Sequence, residues 1–148
     1  MDSQSLVAAV GKSEDSPEVQ AVLAAVGWTK KLKLPKDDID VRAELPALGL
    51  SLIFEAEGPK SSRLVLAGVQ FVSSREKGFK SYAGALPARL MFDDDQAAAR
   101  AKLGKPAKAL PALRRDIWKF EGSLQLAINY AKDAPKTIAL VTVEVPVA

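Results

Sequence analysis

Phe92-Asp-Asp-Asp-Gln-Ala-Ala-Ala-Arg-Ala-Lys-Leu-Gly-Lys-Pro106 reads as a short capped helix with a hard stop. A carboxylate from Asp93, Asp94 or Asp95 can accept from the free N–H groups of a first helical turn and suits its positive end. Ala97 to Leu103 favours helix. Gly104 fits the left-handed residue that follows a last turn, and Pro106 forbids continuation. The same grammar occurs earlier. Ser16-Pro-Glu-Val-Gln-Ala-Val-Leu-Ala-Ala-Val-Gly27 offers a Ser cap, Pro at the first helical position, apolar Val19, Val22, Leu23 and Val26, and a terminal Gly. Two such helices, each followed by strand-rich sequence, predict a tandem repeat.

Outward from the helices the chain alternates. Lys30–Leu34 predicts an edge strand whose lysines discourage edge-to-edge pairing. Val41–Leu45, Leu50–Glu55 and Arg63–Ser73 predict strands, with a bulge at Gly68 where the alternation slips. Arg115–Phe120, Ser123–Tyr130 and Thr137–Val145 predict three more, after a Pro-punctuated loop over Lys105–Leu113. Ser3–Val10 fits a short strand or a frayed helical turn. Trp28, next to Gly27, either packs back on the helix end or stands out as a contact residue.

Sliding the chain by 74 positions lays Leu50, Leu52 and Phe54 on Leu124, Leu126 and Ile128, and Leu64, Leu66, Val69 and Phe71 on Ile138, Leu140, Val143 and Val145. The expected fold is therefore α+β: a tandem repeat of one helix plus a three- to four-stranded antiparallel sheet, with both helices on one face of a continuous sheet. Residues 1–75 form the first half, 76–88 a linker carrying Phe79, Tyr82 and Leu86, and 89–148 the second half. Half of the chain alone would be marginally stable. The opposite sheet face is expected to carry Arg42, Glu44, Ser51, Ile53, Glu55, Gln125, Ala127 and Asn129, a mixture that suits a protein-binding surface or a merely solvated one.

Composition narrows the chemistry. The 148 residues are 48% hydrophobic and 26% charged, with no Cys and no His. Disulfides, thiolate chemistry and the usual base near neutral pH are thereby removed. Residues 1–75 carry 9 Lys/Arg against 10 Asp/Glu, and residues 76–148 carry 12 against 8. The formal charge of +3 includes no basic run that would track a phosphate backbone, so nucleic acid is not expected as a partner. The first residues lack a basic, then apolar, leader pattern and no stretch is long and apolar enough to span a bilayer, so the expected location is cytoplasmic, without a membrane partner. There is no phosphate loop and no activated serine motif. Asp93–Asp95 lacks the spacing of a calcium loop. The expectation is no enzyme, no metal and no cofactor. Arg114-Arg115 beside Trp118 is the best basic–aromatic pair.

One long passage resembles a known bacterial group. Tyr82-Ala-Gly-Ala-Leu-Pro-Ala-Arg-Leu-Met-Phe-Asp-Asp-Asp95, then Ala99 to Leu103-Gly104-Lys-Pro106, then Trp118 and two closing strands, is similar to a pattern Y-x-G-x-L-P-x-x-L-x-F-x-D, a helix ending L-G-x-P, and W. Gly11-Lys-Ser13 and the Pro17-Glu-Val19 helix ending Val26-Gly27 match that group's opening. Its members are small immunity-type proteins encoded beside polymorphic toxins of type VI and contact-dependent secretion systems. The helix-plus-L-G-x-P signature is also similar to the tandem-repeat β-lactamase inhibitory proteins and to outer-membrane assembly lipoproteins, which are exported. The chain departs from the group at Ala88-Arg89, where a Gly usually precedes the Leu.

The resemblance implies a stoichiometric inhibitor of a cognate toxin effector, acting as a monomer or weak dimer. Such binding relies on a few aromatic and Arg anchors. The candidates are Trp28, Phe79, Tyr82, Arg114, Arg115 and Tyr130, with Glu55 and Gln125 from the open sheet face. The alternatives are an envelope-associated structural or assembly module and a small ligand-binding protein.

Overall fold

A computed structural model describes residues 1–146. Asp2 opens helix α1 (Ser3–Ala9) by accepting from the Ser5 N–H at 2.8 Å. The cap and the burial of Leu6 and Ala9 decide for helix what the alternation at Ser3–Val10 left open. Helix α2 (Pro17–Val26) has the expected ends: Ser16 Oγ accepts from the Val19 N–H, and Gly27 takes φ +75°. Its Val19 and Val22 face the core. Helix α3 (Gln96–Leu103) is capped by Asp95, which accepts from the Ala98 N–H at 2.8 Å, and closes at Gly104, which has φ +84° and ψ −168°, an extended conformation open to glycine rather than the left-handed one expected.

Seven antiparallel strands make one sheet: β1 (Asp40–Leu45), β2 (Leu50–Ala56), β3 (Leu64–Val72), β4 (Lys108–Leu110), β5 (Arg115–Lys119), β6 (Gln125–Tyr130) and β7 (Ile138–Glu144). Their order is β1-β2-β3-β7-β6-β5-β4. The fold is α+β with three helices rather than two. Two local expectations are corrected. Lys30–Leu34 is not a strand: Leu32 and Leu34 pack against the core, but the segment joins no sheet. Period-two alternation reports an extended chain with one side buried, and hydrogen-bonded pairing is a separate matter. Conversely, the loop expected over Lys105–Leu113 contains β4, which is only three residues long because Pro106 and Pro111 bracket it.

The β2–β3 register shifts between Ile53 and Phe54, the bulge expected around Gly68, whose partner is Ile53. Leu52, Phe54, Leu66, Val69 and Phe71 join Leu126, Ile128, Val141 and Val143 in one buried cluster with Leu6, Val19, Val22 and Ala99 from the helices. The helices' buried residues thus belong to one sheet face, and the residues of opposite parity form the other.

The linker is docked along its length. Tyr82 donates its backbone N–H to the Val72 carbonyl, sets its ring edge-on to Phe71 at 5.0 Å and donates its hydroxyl to the Met1 carbonyl at 2.8 Å. Leu86, Pro87 and Leu90 are buried behind it. Arg75 spans to the β6–β7 loop, donating to the Pro135 and Asp133 carbonyls at 2.6 and 2.8 Å.

The sequence departure at Ala88-Arg89 coincides with two consecutive non-glycine residues at positive φ, +58° and +59°. Each left-handed residue with a Cβ costs about 1–2 kcal/mol. Arg89→Gly is expected to raise stability by about 0.5–1 kcal/mol net of the extra unfolded-state freedom of Gly. Urea unfolding checks it; a variant less stable than the parent would mean the Arg89 side chain holds this turn.

Candidate functional site

The motif residues behind the resemblance are framework. Tyr82 folds over Gly84: a Cβ on Gly84 would sit 2.6 Å from the Tyr82 hydroxyl oxygen and 2.8 Å from its ring. Asp94 accepts from the Met91 N–H and from Lys102 Nζ at 2.9 and 2.7 Å, while its carbonyl accepts from the Ile138 N–H. Trp118 Nε1 donates to the Gly104 carbonyl at 3.0 Å, tying the end of α3 to β5. These contacts give the motif residues a role in holding the fold.

A buried ionic cluster sits beside them on the helix side of the sheet. The Asp116 carboxylate, 1% exposed, accepts from Arg100 Nε at 3.0 Å and Nη2 at 2.8 Å, from the Tyr130 hydroxyl at 3.0 Å and from Gln96 Nε2 at 3.2 Å. Burial by itself pushes the Asp116 carboxyl up. The hydrogen bonds from Arg100, Tyr130 and Gln96, with the Arg100 charge, outweigh it and hold the carboxyl below its ordinary value. Burial, then the Asp116 charge, drives the Tyr130 phenol well above its ordinary value. The cluster fastens α3 to β5 and β6. Arg100 and Asp116 were absent from the sequence-derived candidates, although Asp116 shares the inward parity of Trp118, and an inward carboxylate demands a partner.

The opposite sheet face carries the eight residues expected of it. Pairing aligns Glu44, Ser51, Gln70, Thr142 and Ala127 in one row across five strands, and Arg42, Ile53, Gly68, Glu144 and Gln125 in the next. Ser51, Thr142 and Ala127 form a floor of small side chains with almost no exposure. Longer groups border it. Arg42 donates to Gln70 at 3.3 Å and Gln70 to Thr142 at 3.5 Å. Arg115 donates to Asn129 at 2.9 Å and to Glu144 at 2.8 Å, and Gln125 donates to the same Glu144 oxygen at 2.9 Å. Arg115 and Glu144 are about one-fifth exposed. Their arrangement is therefore held by hydrogen bonds within the face itself. Among the described residues the buried Ser51 hydroxyl has no hydrogen-bond partner. Gln70, Thr142 and Glu144 belong to this network and were missed, because only one strand of each paired hairpin had been read for its outward side.

The sequence-derived candidates divide accordingly. Arg115 and Gln125 come together on the open face, and Glu55 lies exposed on the same face. Tyr82 and Tyr130 are buried with their hydroxyls engaged. Arg114 is exposed, in a left-handed turn at φ +52°, and donates to the Tyr130 carbonyl. Phe79 is half-buried in the linker. Trp28 is half-buried against the core, with Lys30 Nζ 5.8 Å from its ring centroid and its Nε1 without a hydrogen-bond partner among the described residues. The structure does not gather these eight side chains into one patch.

A separate cleft of 850 Å³ lies between α1, the Gly84–Arg89 linker and the Phe120–Leu124 turn. Val7, Val10, Leu86, Phe120 and Leu124 give it apolar walls. Among the described residues no three His, Cys, Asp or Glu side chains come together as metal ligands, and no helix is long and apolar enough to cross a membrane. No family model, no curated protein and no solved structure matches the chain.

Proposed function

We propose that this chain is an immunity protein that neutralises a secreted antibacterial toxin by binding it one to one, with the open sheet face as the contact. The observation that carries the reading is the bordered floor on that face. Strands β2, β7 and β6 present the small residues Ser51, Thr142 and Ala127 among prearranged polar groups, and the Arg115–Glu144–Gln125 cluster supplies half-buried charged anchors of the kind that dominate tight interfaces. Inhibition by occlusion asks for a rigid, complementary surface and no reacting group.

The test is a pull-down from native lysate, with a secreted toxin encoded beside this gene as the expected prey, followed by calorimetry. The expected result is a one-to-one complex near nanomolar affinity, about −12 kcal/mol. Replacing Arg115 and Gln125 together by Ala is expected to weaken it at least tenfold without changing stoichiometry. A folded protein that captures no toxin sinks the reading. Full affinity in the double variant moves the contact off this face.

We infer also that the two halves are copies of one unit. Support comes from the pairing registers: Leu52 pairs with Val69 as Leu126 pairs with Val143, each pair displaced by 74 positions, and Val69 pairs with Val143 at the centre of the sheet. Helix α1 and strand β4 have no counterpart under that displacement. An experimental structure in which β2–β3 fails to superpose on β6–β7 removes this inference.

The apolar cleft beside α1 favours the second reading, a small-ligand carrier. A screen of amphipathic small molecules by thermal shift, with Phe120→Ala as the control, decides it: stabilisation lost in the control supports the carrier reading, and no stabilisation removes it.

A further inference from the structure

The two edges of the sheet differ. Strand β4 is three residues long, opens with Lys108 and is bracketed by Pro106 and Pro111, three devices that discourage strand addition. Strand β1 is six residues long and contains no proline or lysine. The lysine-bearing segment Lys30–Leu34, which would have protected this side, is not in the sheet. Among the described residues no loop backbone group bonds to the outer edge of β1.

The sequence of that edge is self-complementary. Two copies of Asp40-Val-Arg-Ala-Glu-Leu45 laid antiparallel about Ala43 bring Arg42 of each opposite Glu44 of the other, and Val41 of each opposite Leu45 of the other. Arg42 and Glu44 are exposed and Val41 and Leu45 half-buried, so the charged pairs fall on the open face and the apolar pairs on the helix side. The ends fit as well. Two of the exposed large apolar side chains, Ile39 at 83% and Leu48 at 43%, flank β1. Antiparallel pairing carries Ile39 of one copy to the Ala47–Leu48 turn of the other. A pairing centred on Arg42 would instead set the two Arg42 charges against each other, and one centred on Val41 would match Arg42 with Asp40 but set Asp38 against Glu44, which leaves the Ala43-centred register the best matched.

We propose that β1 is the docking edge for a second copy of this chain, giving a two-fold dimer with one continuous fourteen-stranded sheet and two open faces side by side. The proposal does not depend on what the open face binds.

The measurement is sedimentation equilibrium of the full chain, with a dissociation constant expected at about 10–100 μM, as befits a small interface. Arg42→Glu and Glu44→Arg each place like charges opposite one another twice and are expected to weaken self-association at least tenfold. The two variants mixed, and the swapped double variant Arg42→Glu/Glu44→Arg, restore opposite charges in every pair and recover the wild-type constant. Far-UV spectra and melting curves establish that each variant is folded. A wild-type chain that stays monomeric at about 100 μM, single variants that dimerise as well as wild type, or a mixture that fails to associate overturns the proposal.

Discussion

Gly49→Ala is expected to lower the melting temperature by about 10 °C. Gly49 follows the Pro46–Leu48 turn with φ +67° and ψ +36°, where a Cβ costs about 1–2 kcal/mol. Conformation is the smaller part. A Cβ on Gly49 would collide with the Tyr82 backbone nitrogen, and would lie 2.5 Å from the Lys80 carbonyl oxygen and 2.7 Å from the Ser81 carbonyl carbon. All three are backbone atoms, and none swings aside as a side-chain tip would. The linker crosses here, held by the Lys80 N–H to the Pro46 carbonyl and the Tyr82 N–H to the Val72 carbonyl. Moving it withdraws Tyr82 from Phe71 and Met1. Overpacking of this kind adds about 1–3 kcal/mol, for a sum of about 2–5 kcal/mol, and each kcal/mol shifts the midpoint of a chain this size by about 2–4 °C.

The molecule supplies two controls. The tetrapeptide Leu45-Pro-Ala-Leu48 recurs as Leu110-Pro-Ala-Leu113, and there the left-handed position is held by Arg114 with φ +52°. A side chain is tolerated in that turn when nothing crosses it. Gly27 has φ +75° with no atom within 4 Å of a Cβ, so Gly27→Ala is expected to cost only about 1 kcal/mol. If Gly49→Ala melts with Gly27→Ala, the tight crossing of the linker over this turn is wrong.

How much of this was legible depends on what each signal measures. Most helix ends were readable because caps are local: Ser16, Gly27 and Asp95 each perform their job within a few residues, whereas Gly104 ends α3 without taking the left-handed conformation. Strand parity was readable for the same reason and placed Arg42, Ser51, Gln125 and Asn129 on the open face. Sheet membership was not, because Leu32 and Leu34 alternate with lysines as a strand would while their backbone pairs with nothing in the sheet. The direction of Tyr82 and Tyr130 was hidden because a tyrosine suits either an interface or a core that offers its hydroxyl a partner. Those partners, Met1 and Asp116, lie 81 and 14 residues away. Seen from the chain, Asp116 was one carboxylate among 18 acidic residues; only the packing of α3 on β5 makes it the hub of a buried cluster.

That hub sets the second large expectation. Asp116→Ala is expected to cost about 2–3 kcal/mol. It strands the buried Tyr130 hydroxyl and the Gln96 amide, and an unsatisfied buried donor costs about 1–3 kcal/mol. The loss stays below the 3–5 kcal/mol of a fully buried pair, because the Arg100 side chain is 40% exposed and recovers water. The effect carries a pH signature. The Asp116 carboxyl lies below its ordinary value in the folded protein, so the unfolded chain takes up the proton first as pH falls. Its stabilisation is complete above the unfolded value of about 3.9 and is lost as pH descends through the folded one. Tyr130 works in the other direction. Its folded value is raised, so its contribution is complete below the unfolded value of about 10 and declines as pH rises through the folded one. Asp116→Asn keeps the shape and removes the charge. The stability difference between wild type and Asp116→Asn, followed by urea unfolding, is therefore expected to be flat from pH 8 to about pH 5 and to narrow below about pH 4. A difference that persists unchanged into acid would mean that Asp116 acts by packing and hydrogen-bond geometry, and that its charge contributes nothing to holding α3 on the sheet.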